Sequence, residues 1–145
     1  MSVLHIVTAA VIAGAFMALA SEIGYRLGML KSNLIITDGA FAIERLGWKR
    51  GTATIYVLGL IIHLITSAIF GVIYYAIISL FDLSATSIYV IAPYVVFLWL
   101  AMLFVALPIS GQGMVGQKMG RFSWMEQLVF HTIFGIVFWW MLDTL

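Results

Sequence analysis

Cysteine is absent from the 145 residues, which excludes within this chain any disulfide, thiolate metal ligand, iron–sulfur cluster or palmitoyl anchor. Charge is scarce too. Only 9% of residues are charged, and seven Lys and Arg against six Asp and Glu leave a net charge of +1, with no basic footprint for a nucleic acid. A Ser–His–Asp set, a paired-carboxylate site, an HExxH motif and a phosphate loop are all missing, so no enzymatic activity is expected.

What is present is apolar. Hydrophobic residues make up 64% of the chain and mean hydropathy is +1.15, far from the balance of a soluble domain. Four stretches reach the roughly 20 residues needed to span a bilayer: about 3–27, 55–80, 88–107 and 124–142. The expectation is an all-α membrane protein, a single four-helix bundle over residues 1–145. The one long connection reads either as an ordered loop or as carrying an interfacial helix at about 38–47, with Asp38 as its cap, Phe41, Ile43 and Trp48 apolar, and Glu44 and Arg45 polar.

All seven basic residues lie in or beside the first and third connections, which predicts that both termini face away from the cytoplasm. Asp82 and Asp143 then fall outside, and Tyr and Trp mark both boundaries. The first segment is too long for a signal peptide's apolar region and lacks a basic flank, so it is expected to be retained.

An internal echo aligns AIFGVIYYAI (residues 68–77) with TIFGIVFWWM (132–141) without a gap, as a duplicated helical hairpin would. Helices in lipid associate through small residues. Ala10, Gly14 and Ala18 form one such ridge in the first segment, and Ala20, Gly24 and Gly28 another. Gly59, His63, Ser67 and Gly71 follow the same spacing in the second, and Gln127, His131 and Gly135 in the fourth.

His63 and His131 are the candidates for chemistry. Both lie at roughly 12–14 Å of helical rise from the basic side, and an imidazole in hydrocarbon needs a partner. One reading is packing, with Thr66, Ser67, Thr132 or Gln127 as partners. Another is axial ligation of a b-type haem between the two helices, and a third is ion or proton handling. Glu22 and Arg26, one turn apart, read as an ion pair that snorkels to the interface. His5 reads as an interfacial or packing residue.

Gly111, Gly113 and Gly116 match the three-glycine dinucleotide pattern but lack its strand–turn–helix context. They read as a tight exit from the third segment after Pro108 and as a docking loop. Ser123 and Glu126 have the spacing of a capping box. Pro93, early in the third segment, costs little there or introduces a bend.

GLIIHLITSAIFGVIYY, PISGQGMVG and HTIFGIVFWW together resemble a family of small bacterial four-helix membrane proteins classed as a domain of unknown function. The resemblance covers most of the chain. It implies four helices in a bacterial cytoplasmic membrane, with His63, His131 and the glycine turn as family features, and implies no substrate. The expected role is a non-catalytic accessory or scaffolding subunit of a larger membrane complex, of respiratory or photosynthetic type, packed against other integral membrane subunits. The alternatives are a haem-binding electron carrier using His63 and His131, and a small dimeric transporter with Glu22 or the histidines on its path. Lipid, quinone or pigment are the other candidate occupants of its grooves.

Overall fold

Backbone polar groups in hydrocarbon must be satisfied within their own segment, so a chain this apolar folds into helices. The computed structural model describes all residues, Met1–Leu145, as helices joined by turns, with no strand. Four helices are long and apolar enough to cross a membrane: α1 (Val3–Arg26), α3 (Thr52–Leu80), α4 (Ile88–Ile109) and α5 (Ser123–Thr144). A shorter helix, α2 (Leu34–Leu46), lies in the first connection. The chain is thus a multi-pass helical membrane protein. Both termini sit at one end of the bundle, where His5 approaches the Leu142 carbonyl at 3.4 Å, and the basic residues cluster at the other.

The α2 helix corrects the sequence expectation in two respects. It begins four residues earlier than 38, and its cap is Asn33, whose side chain accepts from the Ile36 amide at 3.0 Å. Asp38 lies inside the helix instead. Nor is α2 simply laid on the surface, because it packs along the opening turns of α3 and buries Leu34, Ile35, Ala42 and Ile43. A Cβ on Gly39 would lie 1.9 Å from the Ile55 carbonyl oxygen, and one on Gly59 would lie 1.9 Å from that of Ile35. Only glycine lets the two backbones approach so closely. Since residue 35 meets 59 and 39 meets 55, α2 runs antiparallel to α3.

In the backbone packing α1 lies between α3 and α5, and α4 rests on α5. Near the terminal end α3 and α4 are joined by side chains: the Tyr94 hydroxyl donates to the Phe70 carbonyl at 2.6 Å, and Tyr74 packs at a tilt against Tyr94 and edge-on against Phe138 at centroid distances of 4.9 and 5.1 Å. Toward the basic end no comparable contact closes the gap between them.

α4 is not regular. After Ala101 it widens into a π turn over Met102–Ala106, in which the Leu107 amide donates five residues back to Met102. Pro108 follows. Its missing N–H and its ring are incompatible with a regular α turn at that point, and a π turn absorbs the mismatch. Pro93, by contrast, lies inside the regular part of the helix.

Buried positions in α3 recur in α5 at a constant displacement of 64. Gly59, His63, Ser67, Gly71, Tyr74 and Ile78 correspond to Ser123, Gln127, His131, Gly135, Phe138 and Leu142. The matched glycines do matched work: Gly71 receives Ala10 and Val7 of α1, the spanning helix before its own, and Gly135 receives Val95 of α4, the spanning helix before its own.

The α5 helix starts differently from the capping-box expectation. Phe122 occupies the cap position, and Ser123 donates to the Gly120 carbonyl at 3.0 Å. Glu126 is released for a long-range task. Its carboxylate accepts from the Lys31 amide at 3.0 Å, the Ser32 amide at 2.9 Å and the Ser32 hydroxyl, fastening the chain entering α2 to the foot of α5.

Candidate functional site

Where α3 and α4 diverge, they leave a cavity of about 390 Å³, within the range of small-molecule sites. One wall is apolar and comes from α4, with Leu98, Ala101, Met102, Val105, Ala106 and Ile109. The π turn widens this wall. The facing wall, from α2 and α3, carries Thr37, Asp38, His63, Thr66 and Ser67, while α5 contributes His131 and Phe134. Both histidines singled out from the sequence therefore meet one space.

Their states differ. On α3, the His63 Nε2 lies 3.2 Å from the Gly14 carbonyl oxygen, and its Nδ1 lies 3.2 Å from Asp38 Oδ2. A carbonyl only accepts, so Nε2 carries a hydrogen. The remaining contact is satisfied either by an imidazolium donating to carboxylate or by a carboxylic acid donating to Nδ1. In both cases the pair is neutral overall and neither ring nitrogen has a lone pair to offer. Gly14 permits this arrangement, since a Cβ there would fall 2.0 Å from the Ser67 hydroxyl oxygen.

On α5, the His131 Nδ1 lies 2.7 Å from the carbonyl of Gln127, one turn back. That bond places a hydrogen on Nδ1, and in the uncharged ring that an apolar setting favours, Nε2 is left as an acceptor. Nε2 has no protein partner, although the residue is only 5% exposed and lines the cavity. The Gln127 side chain is 0% exposed, and both its amide oxygen and its amide nitrogen lack a partner.

These bonds do not fit a bis-histidine haem. Axial ligation needs a lone pair from each ring, and His63 has both nitrogens bound inside the protein. A hydrolytic triad is not assembled either, because Ser67 donates to the His63 backbone carbonyl at 2.8 Å and His63 Nε2 turns to Gly14. No group of three or more His, Asp or Glu side chains is placed to hold a metal ion.

Asp38, Phe41, Thr66 and Ser67, also singled out from the sequence, line the cavity with the histidines, whereas the Glu22–Arg26 pair and the glycines of the turns lie outside it. Glu22 pairs with Arg26 and also accepts from Asn33 and, at 3.3 Å, from Tyr56. The cluster ties the foot of α1 to α2 and α3. Gly24 faces Leu30 of the returning loop, and Gly28 has a φ of +70° in the turn after α1. Gly111, Gly113 and Gly116 have φ of 78°, 78° and 71°, and Gly116 is buried against Ser123 and Leu107. This turn closes the connection from α4 to α5.

Sequence reading missed Asp38 as a site residue. Its signal was present: Leu34, Asp38 and Ala42 share one helical face at spacing four, so the carboxylate interrupts an apolar stripe. No protein-family model, curated protein or solved structure matches this chain significantly. Functional inference therefore rests on the cavity and its polar groups.

Proposed function

We propose that this protein is a non-catalytic membrane subunit that holds a small, largely apolar molecule in the cavity between α3 and α4. The observation that carries this reading is the unpartnered Nε2 of His131 facing a mostly apolar space of about 390 Å³. A polar atom without a partner in an apolar space is unfavourable, and a bound molecule that bonds to it offsets that cost. The π turn supports the same reading, since such turns recur at functional sites. Presentation of a lipid-soluble molecule is also a task suited to an accessory subunit, which keeps the expectation of a larger membrane complex.

In this reading the basic end faces the cytoplasm and both termini face away from it, in a bacterial cytoplasmic membrane. The two hairpins, α1 with α3 and α4 with α5, descend from one duplicated unit, and α2 is an insertion in the first. The shared 64-residue register of buried positions and the paired glycine contacts support this origin.

Extraction from the native membrane in mild detergent, followed by mass spectrometry of co-purifying proteins and small molecules, tests the proposal. A stoichiometric apolar molecule, lost on Ala101→Trp substitution in the cavity wall, is the expected result. A chain that carries none and whose ligand content is indifferent to Ala101→Trp contradicts it. Stoichiometric membrane-protein partners in the same fraction test the accessory role.

A further inference from the structure

The polar lining of the cavity has a consistent bias. Resting on the cavity reading above, we propose that its occupant is a neutral molecule bearing a hydroxyl group, an apolar alcohol or phenol, which donates to His131 Nε2. Thr37 donates to the Asn33 carbonyl, Ser67 to that of His63 and Ser110 to that of Leu107. The His131 Nδ1 hydrogen goes to Gln127, the His63 Nε2 hydrogen goes to Gly14, and the proton between His63 and Asp38 stays between them.

Nearly every lining hydrogen is thus directed at a protein acceptor. What remains for an occupant is lone pairs: His131 Nε2, the second Asp38 oxygen and the oxygens of Thr37, Ser67 and Ser110. The π turn does not reverse this bias, because Pro108 brings no N–H to it. Thr66 is the one lining hydroxyl without a bond in the structure, and an alcohol or phenol offers it an oxygen as well as taking an acceptor. A ketone, quinone or ether finds only the Thr66 hydroxyl as a donor and leaves His131 Nε2 without a partner.

Charge balance decides between a hydroxyl and an ammonium, the two common donors. The His63–Asp38 pair is neutral in either proton arrangement, and an uncharged His131 ring makes the same Nδ1–H bond without placing a cation in an apolar surrounding. A cation in the cavity would meet no net counter-charge in a low-dielectric surrounding. A neutral hydroxyl carries no such cost.

The test is equilibrium dialysis of three bicyclic probes against the protein in lipid nanodiscs, with empty nanodiscs measuring partition into lipid. 1-Naphthol can donate, while 1-methoxynaphthalene and 1,4-naphthoquinone cannot. The expected result is preference for 1-naphthol over either by roughly tenfold, the scale of one well-made hydrogen bond, with His131→Phe erasing the preference and Ala101→Trp removing all specific binding. Should His131→Phe fail to fold, a shift of the His131 Nε2 resonance on adding 1-naphthol to ¹⁵N-histidine protein serves instead. Equal binding of all three probes, abolished by Ala101→Trp, overturns the hydroxyl inference and leaves the cavity reading standing, as does preference for the quinone. No specific binding of any probe overturns both.

Discussion

The two hairpins solve the same problem at matched positions and reach different ends. Each places two polar residues one turn apart on its second helix, His63 with Ser67 and Gln127 with His131. In the first hairpin the pair is closed: His63 is bonded on both sides and Ser67 bonds back to its own helix. In the second it is open, with an unpartnered amide on Gln127 and a free acceptor on His131. The α2 helix makes the difference. It supplies Asp38 to the first hairpin, whereas the second has only a glycine turn in that place. A fully satisfied network fixes structure, and an incompletely satisfied one in an apolar setting costs stability and marks a site.

If α2 closes the first hairpin, Gly59→Ala should have the largest effect. The new methyl meets the Ile35 backbone, which cannot turn aside, so a loss of about 2–3 kcal/mol is expected from overpacking, measured by reversible unfolding in mixed micelles. Ser123→Ala, at the matching position of the second hairpin, should cost less than half as much. Equal losses would mean that α2 is not the distinguishing element.

Glu126 joins the hairpins at the basic end, and Glu126→Ala should cost about 1.5–3 kcal/mol, the scale of hydrogen bonds to a charged group. Hydrogen exchange should quicken at the Lys31 and Ser32 amides and remain slow in the middle of α5. Unchanged exchange at those two amides would remove the clamp from the account.

The closed pair predicts coupling. A double-mutant cycle of Asp38→Ala and His63→Ala should give an interaction of about 0.6–1.7 kcal/mol, typical of strong polar contacts between membrane helices. Additive effects would show that the 3.2 Å contact contributes no stability. The open pair predicts the smallest change and the opposite sign. Gln127→Leu removes two orphaned polar atoms from a fully buried position and should be neutral or stabilising by up to about 1 kcal/mol. A substantial loss would mean that the amide has an essential partner, such as ordered water.

The four long helices were legible because a bilayer demands long apolar segments and little else disguises them. The ridge of Gly59, His63, Ser67 and Gly71 was legible as a contact face for the same reason that helices approach through small residues. The α2 register was not, because Asn33 and Asp38 are both good caps and tertiary contact with α3 chose the earlier one. Glu126 misled in a similar way: its spacing from Ser123 fits a local cap, yet two amides and a hydroxyl 94 or 95 residues away hold it. The two histidines stood out, but their roles depend on which atoms their ring nitrogens meet: Asp38 and Gly14, distant in sequence, for His63, and a main-chain carbonyl one turn back for His131. The cavity itself left no pattern, since in a chain that is 64% hydrophobic lipid-facing and ligand-facing residues look alike.

The asymmetry between the hairpins is tested most directly by ¹⁵N NMR of the histidine rings in labelled protein held in lipid nanodiscs. The account predicts a protonated Nε2 on His63 and, on His131, a protonated Nδ1 beside an unprotonated Nε2. An unprotonated Nε2 on His63, or the reverse tautomer on His131, would contradict it.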